Sequence, residues 1–319
     1  VILGGSIIFW FGLFATQNSS YLTIKKKEIQ KEPEPLVLLF VGDIMLDRGV
    51  EFYIKKHNDW RWPFLQVSDM LSEADLVFGN LESPISDKGE VAGSIYSFRA
   101  DPESIEGLVY AGFDVLSVSN NHSFDYGVEA FQDTLSRLKG QNLAYIGGAF
   151  SNDEDSLLIK EVDGTSIGFL AYTNSGSPSW QVTDSVPGIS WIDDSNMEEI
   201  LKDIQKKSNE VDFLVVSIHA GVEYQTEPNE FQKTFSRSAI DSGATFVIGH
   251  HPHVIQAIEQ YRNGWIAYSL GNFIFDQPFS EDTMEGLMLK VEFEDKEVIS
   301  VTPIEIKINE DFQAFIPNY

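Results

Sequence analysis

The chain has 319 residues, 49 of them acidic and 22 basic, for a formal charge of −27. That length holds one large domain or two small ones with a sizeable core, and 43% hydrophobic with 22% charged residues excludes disorder as the main state. So acidic a body repels phosphate backbones and excludes a generic nucleic-acid binder. The absence of cysteine excludes disulfides, thiolate metal sites, iron–sulfur clusters and a thiol nucleophile.

Residues 1–16, VILGGSIIFWFGLFAT, carry no charge. A membrane-spanning helix needs about 20 apolar residues. The chain begins at Val1 rather than Met, so the run is read as a truncated membrane anchor. No small-x-small cleavage site follows Phe14, which favours retention over signal-peptide removal. Residues 17–35 are polar and charged, close on Pro33-Glu34-Pro35, and read as a tether. The globular part is expected over 36–319.

That part opens on PLVLLFV (35–41), a continuous apolar run of the kind buried on both faces of a parallel sheet. A helical stretch at 63–74, a strand at 75–80, a helix at 102–111, a strand at 114–119, a helix at 128–139 and a strand at 143–148 follow. This β-α-β-α series implies a mostly parallel sheet with helices packed on it. Two strands, 156–162 and 166–172, flank Asp163-Gly164 and read as a hairpin. The alternation resumes with a helix at 196–207, a strand at 212–218, a helix at 230–242 and a strand at 244–249. Short strands follow at 253–260, 264–270, 285–294 and 298–308, adding an antiparallel portion. Two packed sheets with helices outside are expected, in one domain.

Ligands of open α/β sheets bind beyond the carboxyl ends of the strands. Asp43 follows the first strand and Asn80-Leu81-Glu82 the second. Asn120-Asn121-His122 follow the third; later strands end in His219, in Gly249-His250-His251-Pro252-His253, and in Gly271-Asn272. In an extended His251-Pro252-His253 segment both imidazoles would point the same way. Asp, Glu, Asn and His gathered in one cleft make an oxygen/nitrogen shell suited to Mn²⁺, Zn²⁺ or Fe²⁺, and burying two carboxylates without a cation would be costly. Arg99 carries a fork that can hold a carboxylate or phosphate in two-point fashion.

Seven segments bear a family likeness: VGDIMLDRG (41–49), GNLESPI (79–85), YSFRADPE (96–103), SVSNNHSFDYG (117–127), SIHAGVEY (217–224), IGHHPHVIQ (248–256) and YSLGNFIFD (268–276). In order and spacing they resemble the CapA/PgsA family of poly-γ-glutamate capsule synthesis proteins, which is similar to the calcineurin-like metallophosphoesterases. The resemblance implies a four-layer α/β/β/α sandwich with mixed sheets. It also implies one or two divalent ions held by Asp43, Glu82, Asn121, His219, His251 and His253, with His122 as catalytic acid. Where the relatives place a first-motif histidine this chain has Met45, a soft thioether that is a poor ligand for such an ion, so the second ion is expected to be weaker. His250 is extra and expected behind the ligands, as are Asp125 and Asn272. The implied protein is anchored in the cell membrane with its domain outside the cytoplasm. It would act with a hydrolytic site on an anionic capsule polymer or its precursor, beside other capsule synthesis subunits. The alternative is a non-enzymatic polymer-binding or scaffold subunit that keeps the metal site for folding.

Overall fold

The computed structural model describes residues 35–92, 95–154 and 156–317. The expected anchor and all of the expected tether except Pro35 lie outside the described residues. No helix among the described residues is long and apolar enough to cross a membrane.

The chain runs β1 (Leu36–Ile44), α1 (Arg48–His57), α2 (Ser68–Ser72), β2 (Leu76–Leu81), α3 (Ile105–Tyr110), β3 (Val115–Ser117), α4 (Gly127–Gly140), β4 (Ala144–Ile146) and β5 (Gly148–Ala149). It continues through β6 (Leu158–Val162), β7 (Thr165–Thr173), β8 (Gly188–Ile189), α5 (Met197–Lys207), β9 (Phe213–His219), α6 (Glu230–Asp241) and β10 (Phe246–His250). It closes with β11 (Ile258–Tyr261), β12 (Gly264–Ala267), β13 (Asn272–Ile274), β14 (Glu285–Glu294), β15 (Glu297–Ile308) and β16 (Ala314–Phe315).

One sheet has the order β16-β15-β14-β1-β2-β3-β4, with β13 also paired to the end of β1. Its β1 to β4 are mutually parallel, and β14 joins β1 antiparallel. The second sheet has the order β11-β12-β10-β9-β7-β6, parallel through β12, β10, β9 and β7 with an antiparallel strand at each edge.

Side-chain alternation explains the stacking. In β1, Leu38 and Phe40 face the second sheet, while Leu39 and Val41 face the helices. Phe40 and Phe78 meet Phe169 and Phe246 across the gap, with ring centroids about 6 Å apart. On the second sheet's far side, Leu214, Val216 and Val247 pack with Phe235 of α6 and Ile204 of α5. The layers are therefore helix, sheet, sheet, helix, the expected sandwich.

Local chemistry sets the ends of the elements. Asp47 caps α1 through its side chain, and Asn58 ends it in a left-handed conformation. Asn229 and Gln232 form a reciprocal capping box on α6. Asp163 and Gly164, both at positive φ, close the β6–β7 hairpin as a two-residue turn.

Four expectations change. The stretch at 63–74 is a 3-10 turn at Trp62–Phe64 followed by the five-residue α2, because the chain leaves helical geometry at Val67 (φ −121°) before it restarts at Ser68. The helix α1 just before it was not anticipated. The strand expected at 253–260 survives only as β11, since its first half is the histidine loop. GNFIFD supplies an unforeseen strand, β13.

The β1–β13 crossing is tight: a Cβ on Gly42 would lie 2.0 Å from the Gly271 carbonyl oxygen. Gly42→Ala is thus expected to destabilise the fold by about 1–3 kcal/mol, as overpacking does. Urea unfolding of the variant at wild-type stability would show that this approach relaxes freely.

Candidate metal centre

The sheet registers bring the strand ends to one edge. Asp43 pairs with Asn80 and with Asn272, Asn80 with Ser117, and His219 with His250. Of the expected ligands, Asp43, Glu82, His219, His251 and His253 are buried and Asn121 is half-buried.

Asp43, Glu82 and His253 offer ligand atoms that all lie within 4.8 Å of one another. His253 Nε2 stands 3.5 Å from Glu82 Oε1, and its Nδ1 donates to Asn272 Oδ1 at 3.0 Å. That bond fixes the ring and leaves Nε2 as the ligating atom, the usual role of a partner behind a metal-binding histidine. Beside this group, His219 Nε2 lies 4.0 Å from Glu82 Oε1 and donates to Asn121 Oδ1 at 2.7 Å. The His219 and His251 rings are 4.8 Å apart. Glu82 thus stands between two donor groups, Asp43 with His253 on one side and Asn121, His219 and His251 on the other.

The donors fit a dication. Asp43 and Glu82 are buried carboxylates, and the ion pairs of both are with histidines. Glu82 Oε1 and His251 Nδ1 are buried without a hydrogen-bond partner. Burial and then the charge of Asp43 push Glu82 well above the usual carboxylate range. Burial also works upward on Asp43, but the His250 and His253 imidazoles outweigh it and hold that carboxyl well below its ordinary value. Burial, with the neighbouring His253, pushes His251 down to about 3, and burial with His251 depresses His219 well below the usual imidazole range. These histidines are kept neutral, the form that binds metal.

His122 sits at the edge of this group. Its Nδ1 donates to Asp125 Oδ2 at 2.7 Å, while Nε2 lies 3.8 Å from Glu82 Oε1. The ring packs on Phe98, centroids 4.1 Å apart, and borders two cavities of about 430 and 460 Å³. Asp125 therefore orients His122 and leaves Nε2 toward the open space.

Two expectations about geometry are corrected. The His251-Pro252-His253 segment is not extended: His251 has φ 98° and His253 φ 59°. The rings, 6.1 Å apart, are aimed by a left-handed loop, a backbone cost concentrated at the site. Arg99 does not reach the centre. Its guanidinium donates to the Lys88 and Gly89 carbonyls and covers the Tyr126 ring at 4.1 Å, so it ties down a loop. The arginine that borders the larger cavity is Arg48.

Met45 is fully buried in the helix-side core, and its sulfur accepts the Asp47 amide. His250 lies behind Asp43, its Nδ1 3.2 Å from Asp43 Oδ1, and neither ring nitrogen has hydrogen-bond geometry to a partner.

Sequence reasoning passed over three residues. Asn80 is the hub of the site, donating to Asp43 at 2.8 Å and to Glu82 and His219 Nδ1 at 3.3 Å each. Asn120 holds Asn80 and the Leu81 carbonyl and accepts the His122 amide. Glu223 joins His251 and His253 in a second group with ligand atoms within 4.8 Å of one another. The first two stood in the strand-end motifs, and Glu223 stood in SIHAGVEY four residues after His219.

Comparison with known proteins agrees with this architecture. The chain is 32% identical to the capsule biosynthesis protein CapA of Bacillus anthracis over 285 residues, covering 87% of this chain and 69% of that protein. It is 32% identical to the PGA biosynthesis protein CapA of Bacillus subtilis, covering 84% of this chain and 70% of that one. Among solved structures, a hypothetical protein of Thermus thermophilus aligns over 85% of this chain and 99% of its own, at 16% identity and TM-score 0.54. A candidate 5′-nucleotidase of Staphylococcus aureus aligns over 88% of this chain and 54% of its own, at 14% identity and TM-score 0.52. These two likenesses concern the fold, which is metallophosphoesterase-like. Residues 37–277 match the family model described as bacterial capsule synthesis protein PGA_cap, and on that match the chain belongs to this capsule synthesis family.

Proposed function

We propose that this chain is a membrane-anchored, extracytoplasmic component of capsule polymer synthesis whose strand-end centre is a metal-dependent hydrolytic site acting on the anionic polymer or its precursor, beside other capsule synthesis subunits. The observation that carries the reading is the gathering of Asp43, Glu82, His219 and His253 around Glu82 Oε1, a buried acceptor with no hydrogen-bond partner, next to an oriented His122. Asp43, Glu82 and His253 would hold one ion and Glu82, Asn121, His219 and His251 another, and a bound dication supplies Lewis-acid polarisation. Asn80 holds the carboxylates of Asp43 and Glu82 in place. His122, fixed through Asp125, presents a proton at Nε2 to a leaving group.

Membrane attachment is supported by the uncharged run at 1–16, and extracytoplasmic placement by the family's capsule role and the cysteine-free chain.

The test is elemental analysis of the full chain, then turnover assays with added Mn²⁺, Zn²⁺ or Fe²⁺ on a generic aryl phosphate and an amide-linked glutamyl substrate. Bound metal with turnover is expected. Metal-replete protein inert on every substrate would favour the second reading, a polymer-binding subunit. The feature favouring that reading is Met45, which is turned into the core at the position where the resemblance to the metallophosphoesterases implies a histidine ligand.

A further inference from the structure

We propose that Arg48 holds an anionic group of the bound substrate, a carboxylate or a phosphate set apart from the reacting bond, in the 460 Å³ cavity beside His122. The inference rests on the hydrolytic reading above and adds to it the side chain that orients the bound molecule.

The cavity is bordered by Arg48, Asn121, His122 and His253, so the guanidinium and the metal centre open into the same space. Arg48 and His122 also rest on one ring. The guanidinium carbon lies 4.6 Å from the Phe98 centroid and the His122 centroid lies 4.1 Å from it, and those two spans together bound their separation. Among the described residues, Arg48 is the one arginine or lysine that borders either cavity touching His122. Arg99, the fork expected to serve this purpose, is bound to the carbonyls of Lys88 and Gly89.

The pairing of Arg48 is incomplete. A guanidinium and a carboxylate at their strongest make two parallel hydrogen bonds. Here Asp276 Oδ1 accepts from Nη2 alone, and Asp276 Oδ2 accepts the Gly49 amide at 2.8 Å. Nε is buried without a hydrogen-bond partner, while the side chain as a whole is 34% exposed. Asp276 therefore fixes the guanidinium and leaves donors unused. A purely structural ion pair would close the fork, because an orphaned buried N–H costs free energy.

The backbone points the same way. Arg48 has φ 54°, in the left-handed region that a residue with a Cβ seldom adopts. The Asp47 carboxylate holds it there, accepting the Arg48 amide at 2.6 Å and the Arg99 amide at 2.7 Å. Strain of this kind persists only where the surroundings over-determine it, and it gathers at ligand clamps. The other carboxylate on this cavity wall, Glu223, is engaged elsewhere: it accepts from the Tyr224 hydroxyl and groups with His251 and His253. The bound molecule thus acquires a direction. Its anionic group enters the cavity that Arg48 borders. The 430 Å³ cavity that also touches His122 has Ser175, Gly176 and Trp180 on its border and suits an uncharged part.

The test is calorimetry on the full chain at measured metal content, comparing wild type, Arg48→Gln and Arg48→Lys. The probes are the dicarboxylates from malonate to adipate, the monocarboxylates of matching length, and the corresponding ω-phosphonocarboxylates. Wild type is expected to bind its best doubly anionic probe at least about tenfold tighter than the matching monocarboxylate. The end group that gives the larger gain, carboxylate or phosphonate, identifies the group that Arg48 holds. Arg48→Gln is expected to abolish the gain, with monocarboxylate affinity and metal content at the wild-type level. Arg48→Lys, a point charge without a fork, should keep part of it. If Arg48→Gln fails to fold because Asp276 is left unpaired, Arg48→Gln combined with Asp276→Asn removes both charges and takes its place. A gain that survives in Arg48→Gln, or no gain in wild type, overturns the inference and leaves the hydrolytic reading standing. Metal-replete wild type that shows the gain but turns over no substrate ends the hydrolytic reading and leaves Arg48 as the anion-holding residue of a binding subunit.

Discussion

His122→Ala is expected to lower turnover by about 10²–10⁴-fold, the usual contribution of a positioned general acid, with metal content at the wild-type level. The reasoning is positional. His122 Nδ1 is committed to Asp125 at 2.7 Å, and Nε2 is the atom turned toward Glu82 and the cavities. Removing the ring leaves Asp43, Glu82, Asn121, His219, His251 and His253 in place, so the ion should remain. Asp125→Asn should act the same way with a smaller loss, because it misorients the ring without removing it. Asp125 Oδ2 also accepts the Phe98 amide at 2.7 Å, so melting temperature must be read beside turnover. If His122→Ala is metal-replete, stable and as fast as wild type, the acid role is wrong.

His251→Ala is expected to lose metal and activity together. Groups that merely support a ligand cost about 10–100-fold in affinity when removed, so loss of a direct ligand should exceed that range. A second readout comes from the metal-free protein. Burial and His253 depress His251 to about 3, against about 6.5 for a free imidazole. Because the folded value is the lower one, the stability tied to neutral His251 is whole above about pH 6.5 and drains as pH falls toward 3. Glu82, displaced upward, works in the opposite direction: its contribution is whole below its ordinary value of 4.5 and is lost as pH rises through its folded value. Subtracting the His251→Ala unfolding curve from that of wild type isolates the histidine. The difference should shrink as pH drops from 6.5 toward 3, and a flat difference in the chelated protein would remove the account of a buried neutral ring.

Most of the fold could be read from the chain because its strands are apolar runs closed by polar residues. PLVLLFV and DFLVVSI have no polar face, so they had to be covered on both sides, and the helices between them had to do half of the covering. The hairpin at Asp163-Gly164 was legible for a local reason, since that dipeptide favours the positive φ values a two-residue turn needs. The helix α1 was harder to see. Its buried face consists of Val50 and Ile54 amid charged residues, a stripe too narrow to stand out without its Asp47 cap. The candidate ligands were legible because each follows a strand, and parallel strands of one sheet end on the same side.

The sequence by itself determined the residue types of the site and the edge on which they gather, since the apolar runs specify parallel strands and the polar residues fall just after them. Only the tertiary structure decided how those groups face one another. Asn80 became the hub because the β1–β2 register sets it opposite Asp43. His251 and His253 converge because their loop adopts left-handed conformations that packing holds and local preference opposes. Arg99 left the site for two loop carbonyls, and Glu223 entered it from a loop whose path no periodicity records. Side-chain patterning acts over a few residues and fixes which face is buried. The aim of a side chain in a loop depends on contacts between segments distant in sequence, and those exist only once the two sheets have closed.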